Sequence, residues 1–149
     1  MIRETSGDIL TADVEALVNP VSTVGVMGAG LALAFKRKYP DMYREYALGC
    51  KHDGFDVGQV MEHEVGEQPR YVISFPTKQH WRNPSKLEWI NSGLIDLRRA
   101  IEDFGIKSIA IPALGCGLGG LAWKDVRKLI VQHLGDLDVD VVLYAPRAS

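Results

Sequence analysis

The chain has 149 residues, of which 46% are hydrophobic and 24% charged, and this composition predicts one globular domain covering residues 1–149. Its net charge of -2 excludes a broadly basic surface, so any contact with nucleic acid must use a local patch. Two cysteines are too few for a disulfide scaffold, and no apolar run approaches the roughly 20 residues of a membrane span. We therefore expect a cytoplasmic domain that makes no membrane contact.

The first half of the chain predicts two strands and two helices. The strands cover Ile2–Thr5 and residues 15–21, and the helices cover residues 31–38 and 41–51. Pro20 is expected to stop the second strand and Pro40 the first helix, because proline has no backbone N–H to donate. A turn at residues 6–8 and a glycine-containing loop at residues 22–30 join these elements.

The second half alternates strands with helices whose apolar residues recur at three- and four-residue steps. Strands are predicted at residues 59–65, 71–75, 108–112 and 139–144, and helices at Leu87–Phe104 and Trp123–Leu134. Residues 77–85 are predicted to form a polar and aromatic loop. This alternation predicts an α/β fold, a three-layer α/β/α sandwich around a mixed, largely parallel sheet.

Two glycine-rich loops follow strands and precede helices, at residues 22–30 and 113–120. Glycine lets backbone N–H groups face an anion, and the start of the next helix adds the positive end of its dipole. Because ligands bind at the carboxyl ends of parallel strands, we expect both loops to face one crevice and hold a diphosphate. A tight turn without a ligand is the alternative for either loop. Neither loop carries the dinucleotide or the P-loop pattern, which argues against a dehydrogenase and against a P-loop nucleotidase.

Four short segments occur in the order typical of macrodomains. They are Gly-Asp-Ile at residues 7–9, Leu-Val-Asn at 17–19, Met-Gly-Ala-Gly at 27–30 and Pro-Ala-Leu-Gly-Cys-Gly at 112–117. The chain therefore resembles the macrodomain family over nearly its whole length. The resemblance implies the same sandwich fold, with ADP-ribose as the ligand of the crevice.

Within this family, the chain is most similar to the branch of the terminal ADP-ribose protein glycohydrolase, and there to the DarG antitoxins. The segments TKQHWRNPSKLEWI and SIAIPALGCGLGGLAW carry this likeness. It implies a hydrolase that removes ADP-ribose from thymidine in single-stranded DNA and opposes a DarT-like toxin. It also implies an N-terminal domain of a longer protein, whose missing C-terminal part would contact the toxin, and we expect a monomer. An ADP-ribosyl-protein hydrolase and a non-catalytic ADP-ribose-binding module are the alternatives.

The resemblance also implies which residues bind ADP-ribose. Asp8 would accept the adenine amino group and Tyr144 would pack on adenine, whereas Asn19 and Ser22 would bind the distal ribose. The other implied contacts lie in loops and at strand ends: Ile9, Gly28, Ala29, Gly30, Leu31, Thr77, Pro112, Leu114, Gly115, Cys116, Gly117, Leu118 and Gly119. Without the resemblance, Asp8 would be interpreted as a turn or capping residue and Tyr144 as a core residue.

Lys78 matches the catalytic lysine of this branch. A lysine that is partly buried over an apolar crevice loses its proton more readily and becomes a nucleophile, although a solvated surface charge is the ordinary interpretation. The acid that assists this lysine in protein-directed relatives falls at Gly119, so this chain lacks it. We expect Lys78 to attack or stabilise the anomeric centre while His80 gives a proton to the base. A surface loop position is the alternative for His80.

An aromatic and basic patch follows the lysine. Trp81, Arg82 and Asn83 are expected to contact DNA through stacking and phosphate binding, with a cap on the long helix as the alternative for Trp81. Cys116 has no histidine nearby in the sequence, so it is expected to fill space under its loop. No His, Asp or Glu cluster has metal-ligand spacing, and we expect neither metal nor cofactor.

Overall fold

A computed structural model describes residues 1–146, so the last three residues of the predicted domain, 147–149, lie outside the described residues. One sheet contains six strands: β1 (Ile2–Thr5), β2 (Ala16–Ser22), β3 (Met61–Glu64), β4 (Tyr71–Lys78), β5 (Ser108–Pro112) and β6 (Asp140–Tyr144). Four helices accompany them: α1 (Gly30–Lys38), α2 (Pro40–His52), α3 (Leu87–Phe104) and α4 (Trp123–Leu134). A short 3-10 helix, Ile9–Thr11, directly follows the turn predicted at residues 6–8, and no element was predicted for its residues.

The sheet has the strand order β1-β6-β5-β2-β4-β3, and every neighbouring pair is parallel except β3 with β4. Side chains alternate between the two faces of each strand. In β2, Ala16 and Val18 pack with α3 and α4, whereas Leu17 packs with α1 and α2 on the other face. The prediction of a three-layer α/β/α sandwich with a mixed, largely parallel sheet is therefore confirmed.

Helix α3 shows why the sequence folds in this way. Its buried residues, Ile90, Leu94, Leu97 and Ile101, form the stripe that the spacing predicted, and burial of each such side chain contributes about 1.5–3 kcal/mol. The helix ends at Gly105, whose φ of 63° lies in the left-handed region and whose N–H donates to the carbonyl of Ile101.

Strand β2 does not stop at Pro20, so that prediction was wrong. The strand runs on to Ser22 because β2 pairs with β5 only at Ala16 and Leu17 and with β4 alone thereafter. Pro20 therefore lies on a local edge of the sheet, where a missing backbone donor is tolerated.

Strand β4 is longer than predicted, and β3 is shorter than the predicted residues 59–65. Pro76, Thr77 and Lys78 belong to β4, so the loop does not begin at Thr77. Pairing with the extension of β2 causes this difference, since Val21 pairs with Pro76 and Ser22 with Lys78. The register shifts by one residue between these two pairs, so that Lys78 rather than Thr77 pairs with Ser22 and ends the strand.

The carboxyl ends of β2 and β5 form the point at which the sheet changes the direction of its connections. The chain leaves β2 for α1 on one face and leaves β5 for α4 on the other. Beyond Leu17 the two strands separate, and this opening is where α/β sheets bind ligands. No helix among the described residues is long and apolar enough to cross a membrane.

Candidate functional site

A crevice lies over the carboxyl ends of the strands and has two adjoining compartments. The first compartment has a volume of about 760 Å³ and is lined by the 3-10 helix, the start of α1, the loop after β5 and the end of β6. The second compartment has a volume of about 480 Å³ and is lined by the loop after β2 together with Trp81. The residues that line both compartments are Pro20, Ala29, Ala32, Thr77, Lys78 and Leu118. The prediction that the two glycine loops face one crevice is confirmed.

Asp8 and Tyr144 both line the first compartment. Asp8 caps the 3-10 helix, because its Oδ1 accepts the N–H of Leu10 at 3.0 Å. The capping interpretation of Asp8 is therefore confirmed, but it uses one carboxylate oxygen. Within residues 1–146, Oδ2 accepts no hydrogen bond, so it can still receive a donor from a ligand. Tyr144 is half-buried and does not belong to the fully enclosed core.

In the loop after β5, the packing leaves no space for a side chain at Gly119. A Cβ at Gly119 would collide with the carbonyl oxygen of Gly115 and with Oγ of Ser85. The N–H of Ser85 also donates to the carbonyl of Gly119 at 3.0 Å. Gly115 has a φ of +73°, whereas a Cβ at Gly117 would meet nothing within 4 Å. Ser85 thus fixes the loop, and no sequence motif pointed to it.

Two predicted contacts of this loop lie beneath it and line neither compartment. Leu114 is fully buried in the core on the α3 and α4 face. Cys116 is half-buried, and its thiol donates to the carbonyl of Leu114 at 3.6 Å. Burial raises the pKa of the Cys116 thiol to about 11, so it remains protonated at neutral pH. This environment agrees with a space-filling role for Cys116.

Two buried polar atoms near the end of β2 have no hydrogen-bond partner among residues 1–146. They are Oδ1 of Asn19 and Oγ of Ser22. Ser22 lines the second compartment, whereas Asn19 lines neither and donates its amide to Sδ of Met27 at 3.6 Å. A buried hydroxyl without a partner is costly, so Ser22 is well suited to accept or donate a hydrogen bond to a ligand hydroxyl.

Two tyrosines of α2 hold the loop that forms the wall of the second compartment. The hydroxyl of Tyr46 donates to the carbonyl of Ser22 at 2.6 Å, and that of Tyr43 donates to the carbonyl of Gly25 at 3.1 Å. Burial raises the pKa of Tyr46, which keeps the hydroxyl protonated as a donor. Sequence reasoning missed both residues, because tyrosines on an amphipathic helix look like ordinary core residues.

Lys78 stands at the boundary between the two compartments and lines both. It is the last residue of β4, and its register partner is Ser22 on β2. The side chain is half-buried, and its Nζ donates to the carbonyl of Trp81 at 3.2 Å. Thr77, which precedes it, is buried and lines both compartments as well.

The segment after Lys78 forms a compact turn around Trp81. Trp81 is 50% exposed and lines the second compartment. The His80 ring stacks on it at a centroid distance of 5.3 Å, and the Arg82 guanidinium lies 4.5 Å from the ring centre. Helix α3 begins at Leu87 with Lys86 as its cap, so the alternative in which Trp81 caps this helix is wrong.

His80, Arg82 and Asn83 line neither compartment. The main-chain N–H of Arg82 donates to Nδ1 of His80 at 3.1 Å, and the N–H of Asn83 donates to the carbonyl of His80 at 3.0 Å. Nδ1 is therefore an acceptor in the neutral ring, which leaves Nε2 to carry the proton.

The remaining predicted contacts all line one or both compartments. Leu118 is 92% exposed at the rim. The others are Ile9, Gly30, Leu31, Pro112, Gly115, Gly117 and Gly119 in the first compartment, Gly28 in the second, and Ala29 in both. Among residues 1–146, no three His, Cys, Asp or Glu side chains lie close enough together to hold a metal ion. The crevice thus combines glycine-rich main chain, an amine and a buried hydroxyl.

The chain was compared with family models, with curated proteins and with solved structures. Residues 18–130 match the family model described as Macro domain. The chain is 50% identical to the DNA ADP-ribosyl glycohydrolase of Mycobacterium tuberculosis over 98% of its own length, but it spans only 42% of that protein. The structure matches the macrodomain of Mycobacterium tuberculosis DarG with a TM-score of 0.96 at 50% identity, covering 99% of each chain. It matches Thermosipho africanus DarTG in complex with ADP-ribose with a TM-score of 0.89 at 35% identity, covering 99% of this chain and 43% of that one.

Proposed function

The chain belongs to the macrodomain family, and from this premise we propose that it is a glycohydrolase that releases ADP-ribose from thymidine in single-stranded DNA. The similarity to the DNA ADP-ribosyl glycohydrolase of Mycobacterium tuberculosis supports this activity. The observation that carries the proposal is the position of Lys78, whose amine-bearing side chain lines both compartments at the end of β4. A domain that only bound ADP-ribose would not need an amine at this boundary.

ADP-ribose would extend along the crevice from the first compartment into the second. Adenine would lie against Tyr144 and give its amino hydrogen to Oδ2 of Asp8, and the diphosphate would meet the backbone of the loop after β5. The distal ribose would reach the second compartment, where Oγ of Ser22 has no hydrogen-bond partner within residues 1–146. This placement brings the anomeric carbon next to Lys78.

The reaction would break the bond between the anomeric carbon and the thymine nitrogen. Lys78 would attack or stabilise this carbon, and the base would leave with the electron pair and take a proton from His80. His80 would act in its imidazolium form, with Nδ1 released from the Arg82 N–H and the ring turned towards the second compartment, so that a neutral ring remains after the transfer. Water would then attack the anomeric carbon, displace the Lys78 amine where that bond had formed, and pass a proton to the neutral His80 ring, so that ADP-ribose is released. No carboxylate assists from Gly119, because the packing of Ser85 and Gly115 excludes a side chain there. This exclusion favours a DNA substrate over ADP-ribosylated protein acids.

DNA would approach the crevice along Trp81, whose exposed ring offers a surface for base stacking. Arg82 and Asn83 would contact the neighbouring nucleotide. The toxin partner would be a DarT-like DNA ADP-ribosyltransferase, in line with the DarTG structure matched above. The part of the protein that contacts it would lie in a further C-terminal domain, beside a monomeric N-terminal macrodomain.

One experiment tests the activity directly. The domain is incubated with an ADP-ribosylated thymidine oligonucleotide and, separately, with a protein that carries ADP-ribosyl-glutamate, and released ADP-ribose is measured. Release from the oligonucleotide is the expected result. Release from the protein alone would overturn the proposed DNA substrate. Release from neither, in a domain that still binds ADP-ribose, would overturn the proposed activity and indicate a binding module.

A further inference from the structure

A buried triad of Glu45, His63 and Ser74 lies outside the crevice and takes no part in the proposed reaction. His63 is on β3 and is 1% exposed. Its Nδ1 lies 2.9 Å from Oε1 of Glu45 on α2, and its Nε2 lies 2.9 Å from Oγ of Ser74 on β4. The triad therefore ties one helix and two strands together on the α1 and α2 face of the sheet.

The partners of His63 fix its hydrogens. A carboxylate can only accept, so Nδ1 must carry a hydrogen and donate it to Glu45. Nε2 of the neutral ring is then an acceptor, and the hydroxyl of Ser74 donates to it. Ser74 is fully buried, so no substrate reaches its hydroxyl and the triad does not perform acyl transfer. Its effect must be on the structure around it.

The triad connects to the crevice through α2. Tyr46 follows Glu45 in the helix, and its hydroxyl donates to the carbonyl of Ser22 in the wall of the second compartment. Helix α2 also packs very closely on β3, because a Cβ at Gly49 would collide with the side-chain end of Met61. A small shift of α2 on β3 would therefore move the carbonyl that Tyr46 holds.

We propose that the buried triad positions α2, and through Tyr46 the wall of the second compartment, so that protonation of His63 weakens ADP-ribose binding. A protonated His63 has two N–H donors, so Nε2–H would face the Ser74 hydroxyl, which must then turn its own hydrogen elsewhere. The bond that joins β3 to β4 is disturbed, and a charge is added to a buried site. His63 and Tyr46 are positioning residues in this scheme.

The charged groups around His63 act in opposite directions to burial. Burial lowers the pKa of His63, whereas the carboxylates of Glu45 on α2 and of Glu62 on β3 raise it. The group that faces it from β4 is the neutral hydroxyl of Ser74. Burial is the larger effect, so the pKa of His63 lies below its ordinary value. The imidazole is therefore neutral at physiological pH and gains its proton on acidification.

The test is calorimetric titration of the domain with ADP-ribose at about pH 7.5 and about pH 5.5, a range in which histidine titrates. The affinity of the wild type is expected to fall by about fivefold or more on acidification, a coupling of ordinary size between two sites. His63→Gln, which cannot titrate, should show no such fall. His133→Gln, on the opposite face of the sheet, is the matched control and should behave like the wild type.

Glu45→Gln provides a second variant, because Glu45 is largely exposed and its replacement leaves the core intact. Gln still accepts from Nδ1–H but no longer favours the charged ring, so the loss of affinity should begin at a lower pH than in the wild type. An unchanged pH profile in both His63→Gln and Glu45→Gln would overturn the inference. So would an affinity of the wild type that does not vary with pH.

The inference rests on the proposed function, since it takes ADP-ribose as the ligand. If the wild type bound no ADP-ribose at either pH, the proposed function and the inference would both be overturned. Binding that is indifferent to pH would overturn the inference alone.

Discussion

Lys78 and Ser22 are register partners at the carboxyl ends of two adjacent parallel strands, and both line the second compartment. Lys78 supplies an amine, and Ser22 supplies a buried hydroxyl that has no hydrogen-bond partner in the described part of the chain. Their pairing depends on the extension of β2 and β4 beyond two prolines, so the backbone brings the two groups together. The distal ribose would lie between them, which makes Lys78 the first residue to test.

Lys78→Ala should abolish release of ADP-ribose from modified DNA, a loss of at least about 100-fold for an essential proton-transfer or nucleophilic group. ADP-ribose binding should change by less than about 1 kcal/mol, because the lysine has its role in the reaction. Release is followed with an ADP-ribosylated thymidine oligonucleotide, and binding by calorimetry. Lys86→Ala, which removes an exposed lysine of the same segment, is the control and should retain full turnover. Full turnover by Lys78→Ala would contradict the proposed role.

Lys78→Arg separates the two ways in which the lysine could act. Arginine keeps a positive charge but is always protonated, so it cannot attack a carbon atom. An inactive Lys78→Arg variant that still binds ADP-ribose would indicate nucleophilic attack. Substantial activity in this variant would instead indicate electrostatic stabilisation.

Trp81→Ala should weaken activity on modified DNA more than it weakens binding of free ADP-ribose. The exposed ring offers a stacking surface, and one stacked base contributes about 1–3 kcal/mol. The measurement is kcat/KM on the oligonucleotide, compared with the Kd for ADP-ribose. Trp89→Ala is the matched control, because Trp89 lies on α3 away from both compartments. Equal losses on both ligands in Trp81→Ala would mean that the ring serves packing only.

Gly119→Ala should weaken ADP-ribose binding and cost about 1–3 kcal/mol of unfolding free energy, because the new Cβ overpacks the contact with Ser85 and Gly115. Chemical denaturation and calorimetry measure the two effects. Gly117→Ala is the control and should have little effect on stability, since a Cβ there meets nothing within 4 Å. A Gly119→Ala variant as stable as the wild type would show that the loop accommodates a side chain at this position. Packing would then no longer explain why the chain has no acidic residue there.

Asp8→Asn should separate the two uses of the Asp8 carboxylate. The amide oxygen of Asn can still accept the N–H of Leu10, so the stability of the domain should be unchanged. The amide nitrogen would then face the adenine amino group, donor against donor, and ADP-ribose affinity should fall by about tenfold, or 1.4 kcal/mol. Asp8→Ala should lose the cap as well and lower the thermal midpoint. Unchanged affinity in Asp8→Asn would place adenine elsewhere.

The stability of the domain should fall on acidification, and His63 should account for part of this fall. Burial lowers the pKa of His63 in the folded state below its ordinary value of 6.5, so the unfolded chain binds the proton more readily. The contribution of the neutral imidazole is complete above about pH 6.5 and is lost as the pH falls towards the folded-state pKa. Urea denaturation at several pH values measures the effect, and His63→Gln should have a flatter profile in this range. An equally steep profile would assign the acid sensitivity to other groups.

Much of the fold could be predicted because its signals are local. The amphipathic spacing of α3 and the glycine at position 105 mark a helix and its end within a few residues of sequence. The loop after β5 could be recognised because its glycines follow a buried strand directly. The family resemblance then supplied roles for Asp8, Ser22 and Lys78 that their types alone did not require.

The remaining features depend on contacts between residues that are distant in the sequence. Pro20 lies inside a strand because β2 has already separated from β5, which no local rule reports. Ser85 precedes α3 in the chain but bonds to Gly119 in the loop after β5. Tyr46 lies on α2 but bonds to the carbonyl of Ser22 at the end of β2. The Glu45, His63 and Ser74 triad joins three elements. Each of these residues has an ordinary local context, so its role appears only when the chain is folded.

The separation of β2 from β5 determines which parts of the site can vary without loss of the fold. The main chain at the carboxyl ends of β2 and β5 would hold the ADP-ribose portion of the ligand, which is the same in every ADP-ribosylated substrate. The side chains of Lys78, at the boundary between the compartments, and of Trp81, in the second compartment, would meet the bond to the attached group, which differs between substrates. Substitutions at these two positions would therefore change which bond is cut, while binding of ADP-ribose is preserved. A domain built in this way can acquire a new substrate through a few surface changes, without rebuilding its core.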